Sequence, residues 1–200
     1  MSISIAGLWD LRAHFYDFCE GSVLRRGPHK AALFREAVGR VLFLAVGTGL
    51  DIKHFPPGRD IVGIDISSEM LRRAEPRRRR YRGNFELLQA DAQNLCLPDG
   101  SFHSAVTSCT MCSVPDPVRA LKEVYRVLKP GGRLLMFEHV RSRNAILGLA
   151  LDAMTLWTRI GGTEMNRDTI RNVLTAGFRI QRVESAYLDI VLAIRAEKPY

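Results

Sequence analysis

Two hundred residues, 46% of them apolar, with a formal charge of +8 and no repeat or low-complexity tract, describe one globular domain and exclude a disordered or fibrous chain. Four cysteines (Cys19, Cys96, Cys109, Cys112) lack the spacing of a secreted framework, which points to free thiols in a reducing compartment. Cys109-x-x-Cys112 has no second such pair and no histidine at zinc spacing beside it, so no metal site is expected.

Met1 to Asp10 carries no basic region or cleavage site, so no secretion signal is expected. Leu8, Leu11, Phe15 and Phe18 recur at roughly helical spacing and predict a helix over residues 8–20, serving as a lid, an interfacial helix or a helix packed on the core. Pro28 opens a second helix, which Ala31 to Val38 continue and Gly39 stops. Val41 to Val46 is a continuous apolar run, short enough for a strand buried on both faces, as in a parallel sheet covered by helices. Gly47-Thr48-Gly49 follows at once, and two glycines at a strand's carboxyl end let the backbone turn tightly and approach a ligand. A second apolar run, Asp60 to Ile64, ends in Asp65, where one carboxylate can accept both hydroxyls of a ribose. This pairing carries a nucleoside-binding expectation.

Ser67 reads as the N-cap of a helix over residues 68–75. Around Pro76 crowd Arg72, Arg73, Arg77, Arg78, Arg79, Arg80 and Arg82, a cluster suited to anionic lipid or nucleic acid, or else a solvated helix end. Apart from Tyr81 no aromatic platform is interleaved, which argues against single-strand stacking. Strand three is expected over 85–90 and strand four over 104–108. An amphipathic helix follows over 117–128, with Val118, Leu121, Val124, Tyr125 and Leu128 on one stripe, and Lys129-Pro-Gly-Gly132 ends it. Strand five spans 132–139. Residues 144–160 form an apolar helical insertion, whose longest apolar stretch is too short to cross a bilayer and contains Asp152. A helix from Asn166-Arg167-Asp168 runs to Ala176, and residues 178–183 and 188–196 alternate as an antiparallel pair. The fold class is therefore α/β: a Rossmann-like, seven-stranded, mostly parallel sheet with a terminal antiparallel strand pair and a ligand site at the switch point beside strand one.

Four blocks now stand in order: Gly47-Thr-Gly49; Gly63-Ile-Asp65-Ile-Ser67 with Met70; Ala90-Asp91-Ala92 with Leu97-Pro98 and Ser101-Phe102; and Leu121-Lys-Glu-Val-Tyr-Arg-Val-Leu-Lys-Pro-Gly-Gly-Arg133. Spanning about residues 30–140, they resemble the class I S-adenosylmethionine-dependent methyltransferases. The resemblance implies one methyltransferase domain over 1–200. Residues 1–39 would be N-terminal helices and lid, 40–140 the cofactor-binding core, 141–176 an acceptor-side insertion and 177–200 the terminal strand pair. It also implies that Ala45, Gly47, Thr48 and Gly49 pass beneath the methionine part of S-adenosylmethionine, with Tyr16 closing over that end. Asp65 would take the ribose, Ile66 and Met70 pack on adenine, Asp91 and the Ala92 amide bond its edge, and Ser108 and Cys109 lie beside the cofactor. Three positions depart from the family: Phe43 stands for an acid that helps hold the ammonium group, Ala45 for a glycine, and His103 for an acid after Phe102. Reduced affinity, or backbone carbonyls carrying the ammonium, follows from the first two.

Met111-Cys-Ser-Val114, Glu138-His139-Val140 and the segment from Leu151 to Asp168 resemble a narrower group that includes thiol methyltransferase-like proteins. Tyr16-Asp17 and Arg25-Arg26 are similar to bacterial phosphatidylethanolamine N-methyltransferases, and quinone C-methyltransferases share the core blocks. The resemblance implies a small-molecule or lipid-like acceptor, phospholipid amine or thiol first. His139, with Glu138, is the candidate base or acceptor-orienting group, because imidazole titrates near neutral pH. Asp152, Asn166 and Arg167 are candidates for the same mouth. A cytoplasmic chain with peripheral contact to anionic membrane is expected, and no nucleic-acid partner, since the Asn-Pro-Pro-aromatic motif that clamps a target base is absent. A nicotinamide oxidoreductase would need a third glycine where Ile52 stands. A non-catalytic module of the same fold, acting through the arginine cluster, is the competing class.

Overall fold

The computed structural model describes residues 4–20 and 27–200, with backbone alone for residues 18–20 and 27. Arg25 and Arg26 and the side chains of Phe18 and Cys19 lie outside the described residues. Helices α1 (Ile5–Glu20) and α2 (Gly27–Arg35) precede β1 (Arg40–Leu44). Then come β2 (Asp60–Asp65), α3 (Ser68–Arg78), β3 (Asn84–Gln89), β4 (Phe102–Ser108), α4 (Pro117–Val127), β5 (Leu128–His139), α5 (Ala145–Thr158), α6 (Thr169–Thr175), β6 (Arg179–Tyr187) and β7 (Val191–Glu197). Short 3-10 turns follow β1 at Ile52–His54 and α5 at Arg159–Gly161.

The sheet order is β3-β2-β1-β4-β5-β7-β6, the seven strands read from the sequence. Strands β1 to β5 pair in parallel, and among the described strands β7 alone runs against its neighbours β5 and β6. Alternation within β1 supplies both faces: Leu42 and Leu44 join the core beneath α4 and α6, while Val41 and Phe43 join the core beneath α2. After β3 the chain crosses β1 to lay down β4. The carboxyl ends of β1 and β4 therefore diverge and leave a crevice at this switch point.

Two expected boundaries move. Helix α3 passes through Pro76 rather than stopping at Glu75; Glu75 bonds Arg78 and Arg79 and holds the last turn where the proline removes one backbone hydrogen bond. Helix α2 ends at Arg35, before Gly39. Gly39 (φ +59) lies against the His103 ring, where a Cβ would stand 2.5 Å away, and His103 Nδ1 accepts from the Arg40 amide at 3.1 Å. His103 thus anchors the entry to β1, a use for the residue that replaces the family's acid.

The signature block earns its sequence by bonding the loop before β4. Arg126 donates to the carbonyls of Leu95 and Leu97 and to Asp99, and Glu123 accepts from the Leu95 amide at 2.8 Å while holding Arg126.

Candidate active site

A cleft of about 700 Å³ opens at the carboxyl ends of β1, β2 and β4. Of the residues expected around the cofactor, Tyr16, Ala45, Gly47, Asp65, Ile66, Met70, Asp91, Ala92, Ser108 and Cys109 line it. Thr48 and Gly49 do not. The Thr48 hydroxyl is buried and donates to Asp17, and Gly49 (φ +84) is pressed beneath α3, where a Cβ would stand 3.1 Å from that of Ala74. Their place is in the turn that presents Gly47, rather than in the cleft wall.

Asp65 is buried, with Oδ2 accepting from the Gly47 amide at 2.8 Å and Oδ1 from the Ser67 amide at 2.9 Å. One carboxylate therefore ties the glycine turn after β1 to the start of α3. Burial raises its pKa above the usual aspartate value, and the amide bonds partly oppose this. Ala45 sits at φ +50, a left-handed backbone that costs a non-glycine residue about 1–2 kcal/mol. Glycine relieves this, though its unfolded chain is freer by roughly 0.5–1 kcal/mol. Ala45→Gly is therefore expected to raise the urea midpoint by the equivalent of about 0.5–1 kcal/mol at unchanged slope. A lower midpoint would show that the Ala45 methyl packs favourably.

Phe43 does not line the cleft. It is buried edge-on against Phe34 and Phe55, ring centroids 5.7 and 5.2 Å away, in the core beneath α2. This position, where the resemblance led us to expect an acid, serves the aromatic core in the structure.

The turn after β4 forms the far wall, with Ser108, Cys109 (φ +52), Thr110, Ser113, Val114 and Pro115. It is organised from below by Glu138. That carboxylate is 0% exposed and accepts from the Thr107 hydroxyl at 2.6 Å and from the Thr110 and Met111 amides, each at 3.1 Å. Burial pushes its pKa up to about 7 against the pull of these three donors. Glu138 cannot reach an acceptor through the turn it supports, so its expected catalytic role is replaced by a positioning one. His139 is half-buried and lies outside the cleft lining, with its carbonyl 3.5 Å from the Thr169 hydroxyl. Asp152 is engaged by Arg141 and Asn166, and Arg167 donates to the Val114 carbonyl at 3.0 Å, bracing the rim of the cleft.

The roof is α1. Of the expected stripe, Leu11 and Phe15 are 63% and 69% exposed, which suits the interfacial alternative, whereas Ile5, Trp9 and Tyr16 face the cleft. The cause is polar. Asp10 accepts from the Ser67 hydroxyl and the Glu69 amide at the N-terminus of α3, and Asp17, two turns on, accepts from Thr48 and Arg77. These two acids set the rotation of the helix and bring Trp9 and Tyr16 inward beside them, 6.4 Å apart and edge-on. The spacing of Ile5, Trp9 and Tyr16 (four, then seven) was the available signal for this second stripe.

A methyltransferase domain family matches residues 42–136. A demethylmenaquinone methyltransferase of Thermus thermophilus is 36% identical over 156 residues, covering 74% of this chain and 69% of that protein. A phosphatidylethanolamine N-methyltransferase of Cereibacter sphaeroides is 35% identical over 127 residues, covering 62% of this chain and 63% of that one. Among solved structures, a SAM-dependent methyltransferase of Thermotoga maritima shares the fold with a TM-score of 0.70 at 24% identity, covering 96% of this chain and 99% of that one. The chain spans about half the length of the ubiquinone/menaquinone biosynthesis C-methyltransferases it also matches. This chain belongs to the S-adenosylmethionine-dependent methyltransferases. Its cofactor is S-adenosylmethionine, and the cleft fits that molecule: the Ser108 hydroxyl is buried at its wall with no hydrogen-bond partner among the described residues, and Gly47 (φ +58) brings bare backbone to the lining, where a Cβ would touch the Tyr16 ring at 3.7 Å.

Proposed function

We propose that the cleft holds S-adenosylmethionine and that the chain passes its methyl group to a lipid-like acceptor, a phospholipid amine foremost, met at a membrane surface. Asp65 takes the ribose hydroxyls, Ile66 and Met70 flank the adenine, Asp91 and the Ala92 amide bond its edge, and Ala45, Gly47 and Tyr16 border the methionine end. Bound there, the cofactor supplies a methyl group on a sulfonium, a very good leaving group. What the chain contributes is alignment and exclusion of water, by the α1 roof and the turn that Glu138 supports. An amine must lose its proton before attack, and both lining carboxylates already accept backbone amides, Asp65 from Gly47 and Ser67 and Asp91 from Gln93. His139, beyond the lining at the end of β5, is the remaining acceptor-side group proposed for that proton.

The observation that carries the lipid reading is α5. A surface helix normally turns its polar face to water. Here only Gly148, Leu151 and Thr155 are buried, while Leu156, Trp157 and, just beyond, Ile160 are 67%, 77% and 76% exposed. The helix carries one charged residue, Asp152, already neutralised by Arg141, and exposed Arg143 and Arg159 flank its ends. The apolar face continues onto α1, because Arg12 bonds the Gly161 carbonyl and the Thr163 hydroxyl, next to exposed Leu11 and Phe15. An outward apolar face ringed by cations suits the interfacial layer of an anionic membrane. No helix among the described residues is long and apolar enough to cross a membrane.

Burying a large apolar side chain is worth about 1.5–3 kcal/mol. Trp157→Ser with Ile160→Ser is therefore expected to lower co-sedimentation with phosphatidylglycerol–phosphatidylethanolamine vesicles on the order of tenfold or more, leaving S-adenosylhomocysteine affinity unchanged. The same vesicles should accept tritiated methyl from labelled cofactor. Unchanged vesicle binding in the double variant would overturn the membrane reading, and turnover on small thiols alone would replace the acceptor.

A further inference from the structure

Beside the glycine turn lies a second basin, open to solvent and about 990 Å³ in size. Lys53, Arg77, Arg80 and Arg82 stand around it, over a floor that includes Phe55 and Tyr81. No carboxylate lines it. The Tyr81 hydroxyl fixes one side by donating to the Pro56 carbonyl at 2.6 Å and accepting from the Arg59 amide at 3.1 Å.

The arginine cluster divides into two sets by its partners. Glu69 holds Arg72 and Arg73, and Glu75 holds Arg78 and Arg79, so each of these four arginines has a carboxylate partner on α3, which halves their charge. Arg80, Arg82 and Lys53 have no carboxylate partner among the described residues, and these are the ones at the basin. Surface ion pairs contribute little to stability, but three unpaired cations around one concavity, with Arg77 paired to Asp17 beside them, create a focused positive potential. Guanidinium forks over an apolar floor match a phosphate group attached to a carbon skeleton.

Arg77 links this basin to the cofactor cleft. Its Nη1 donates to the Thr48 carbonyl and its Nη2 to Asp17, each at 2.7 Å, and Asp17 also accepts from the Thr48 hydroxyl. Burial works to raise the Asp17 pKa, but Thr48 and Arg77 together hold it below the usual value. This three-way contact is one of the polar pins that hold α1 among the described residues, beside those of Asp10 and Arg12.

We propose that the basin is a binding site for a phosphate-bearing anion, and that its occupant competes with Asp17 for Arg77 and loosens α1 over the cofactor cleft. An anion drawn into the basin offers Arg77 a second acceptor. Each bond Arg77 turns toward it is lost to Asp17, and the end of α1 carrying Tyr16 is released. The binding half stands on the basin alone; the regulatory meaning of the release rests on the cleft being the cofactor site.

Glycerol 3-phosphate and inorganic phosphate titrated calorimetrically into the full chain test the first half. Arg80→Gln with Arg82→Gln is the basin variant. Arg72→Gln with Arg79→Gln removes the same charge elsewhere on α3 and is the control. Saturable binding that falls at least tenfold in the basin variant and less than threefold in the control is expected. Equal losses in both, or no saturable binding to these ions or to phosphatidylglycerol vesicles, would overturn the site. Saturation by the soluble ions assigns a free phosphate compound. Binding to the vesicles alone, with the same dependence on Arg80 and Arg82, assigns a lipid headgroup.

Hydrogen exchange of the α1 amides tests the second half without any cofactor present. The anion should speed exchange around Tyr16 and Asp17 several-fold in the native chain and leave the basin variant unmoved. Binding with unchanged exchange would refute the coupling. Failure of S-adenosylhomocysteine to bind would count against the cleft assignment and leave the basin result standing.

Discussion

Asp65→Ala is expected to weaken S-adenosylhomocysteine binding by 10- to 100-fold and to destabilise the fold together with it. A hydrogen bond to a charged group is worth about 1.5–3 kcal/mol, so a net loss equal to about one of the proposed ribose bonds accounts for the affinity. The fold suffers because the Gly47 and Ser67 amides, at 2.8 and 2.9 Å from the carboxylate, lose their acceptor in a buried site. Each orphaned donor costs about 1–3 kcal/mol. Asp65→Asn separates the two effects. One amide oxygen still accepts from Gly47 or Ser67, so stability should recover in part while ribose affinity stays low. Calorimetric titration alongside urea unfolding reads both. Native affinity in the alanine variant would remove Asp65 from the cofactor site.

Glu138→Ala should destabilise the fold by about 3–5 kcal/mol, since it strips the acceptor from the Thr107 hydroxyl and from the Thr110 and Met111 amides at once. Glu138→Gln gives the sharper test, through pH. The folded pKa of about 7 lies above the ordinary 4.5, so the folded chain holds this proton more tightly than the unfolded one. The associated stability is fully present below pH 4.5 and is lost as pH rises through about 7. Native unfolding free energy should therefore decline across that window, and the glutamine variant should lack that slope. Cofactor affinity should fall in both variants, because the 108–111 turn shifts. A general base touching the acceptor would instead lose turnover at unchanged cofactor affinity, and that result would restore the catalytic reading of Glu138.

The strands and the cleft were legible for a local reason. Val41 to Leu44 and Asp60 to Ile64 are continuous apolar runs closed by Gly47 and Asp65, and a buried parallel strand with a glycine turn leaves that pattern in any sequence that forms it. Ten of the twelve expected cofactor residues line the cleft, and eight of them, all but Tyr16 and Met70, do so because strand ends and their following turns are placed by sheet topology, which the alternation of elements already implies. The surroundings that could not be read locally share a different cause. Thr48 and Gly49 turned inward because α3 and Asp17 packed on them; Leu11 and Phe15 turned outward because Asp10 and Asp17 found partners on α3 and the glycine turn. Phe43 was compared with an acid, but its surroundings are Phe34 and Phe55 from distant parts of the chain.

By itself, then, the order of residues determined the α/β class and the seven strands, because periodicity, caps and glycine turns are short-range properties of the chain, while the family and the cofactor came from the resemblance of its four blocks. Tertiary structure alone decided which stripe of α1 roofs the cleft, that Glu138 supports a turn from beneath, that α5 presents its apolar side to solvent, and which arginines remain without carboxylates. Each of those outcomes depends on hydrogen bonds or ion pairs between residues far apart in sequence, or on which side of a helix the neighbouring element covers. Such pairings are energetically small beside the burial of the core, yet they set the rotation of α1 over the cleft.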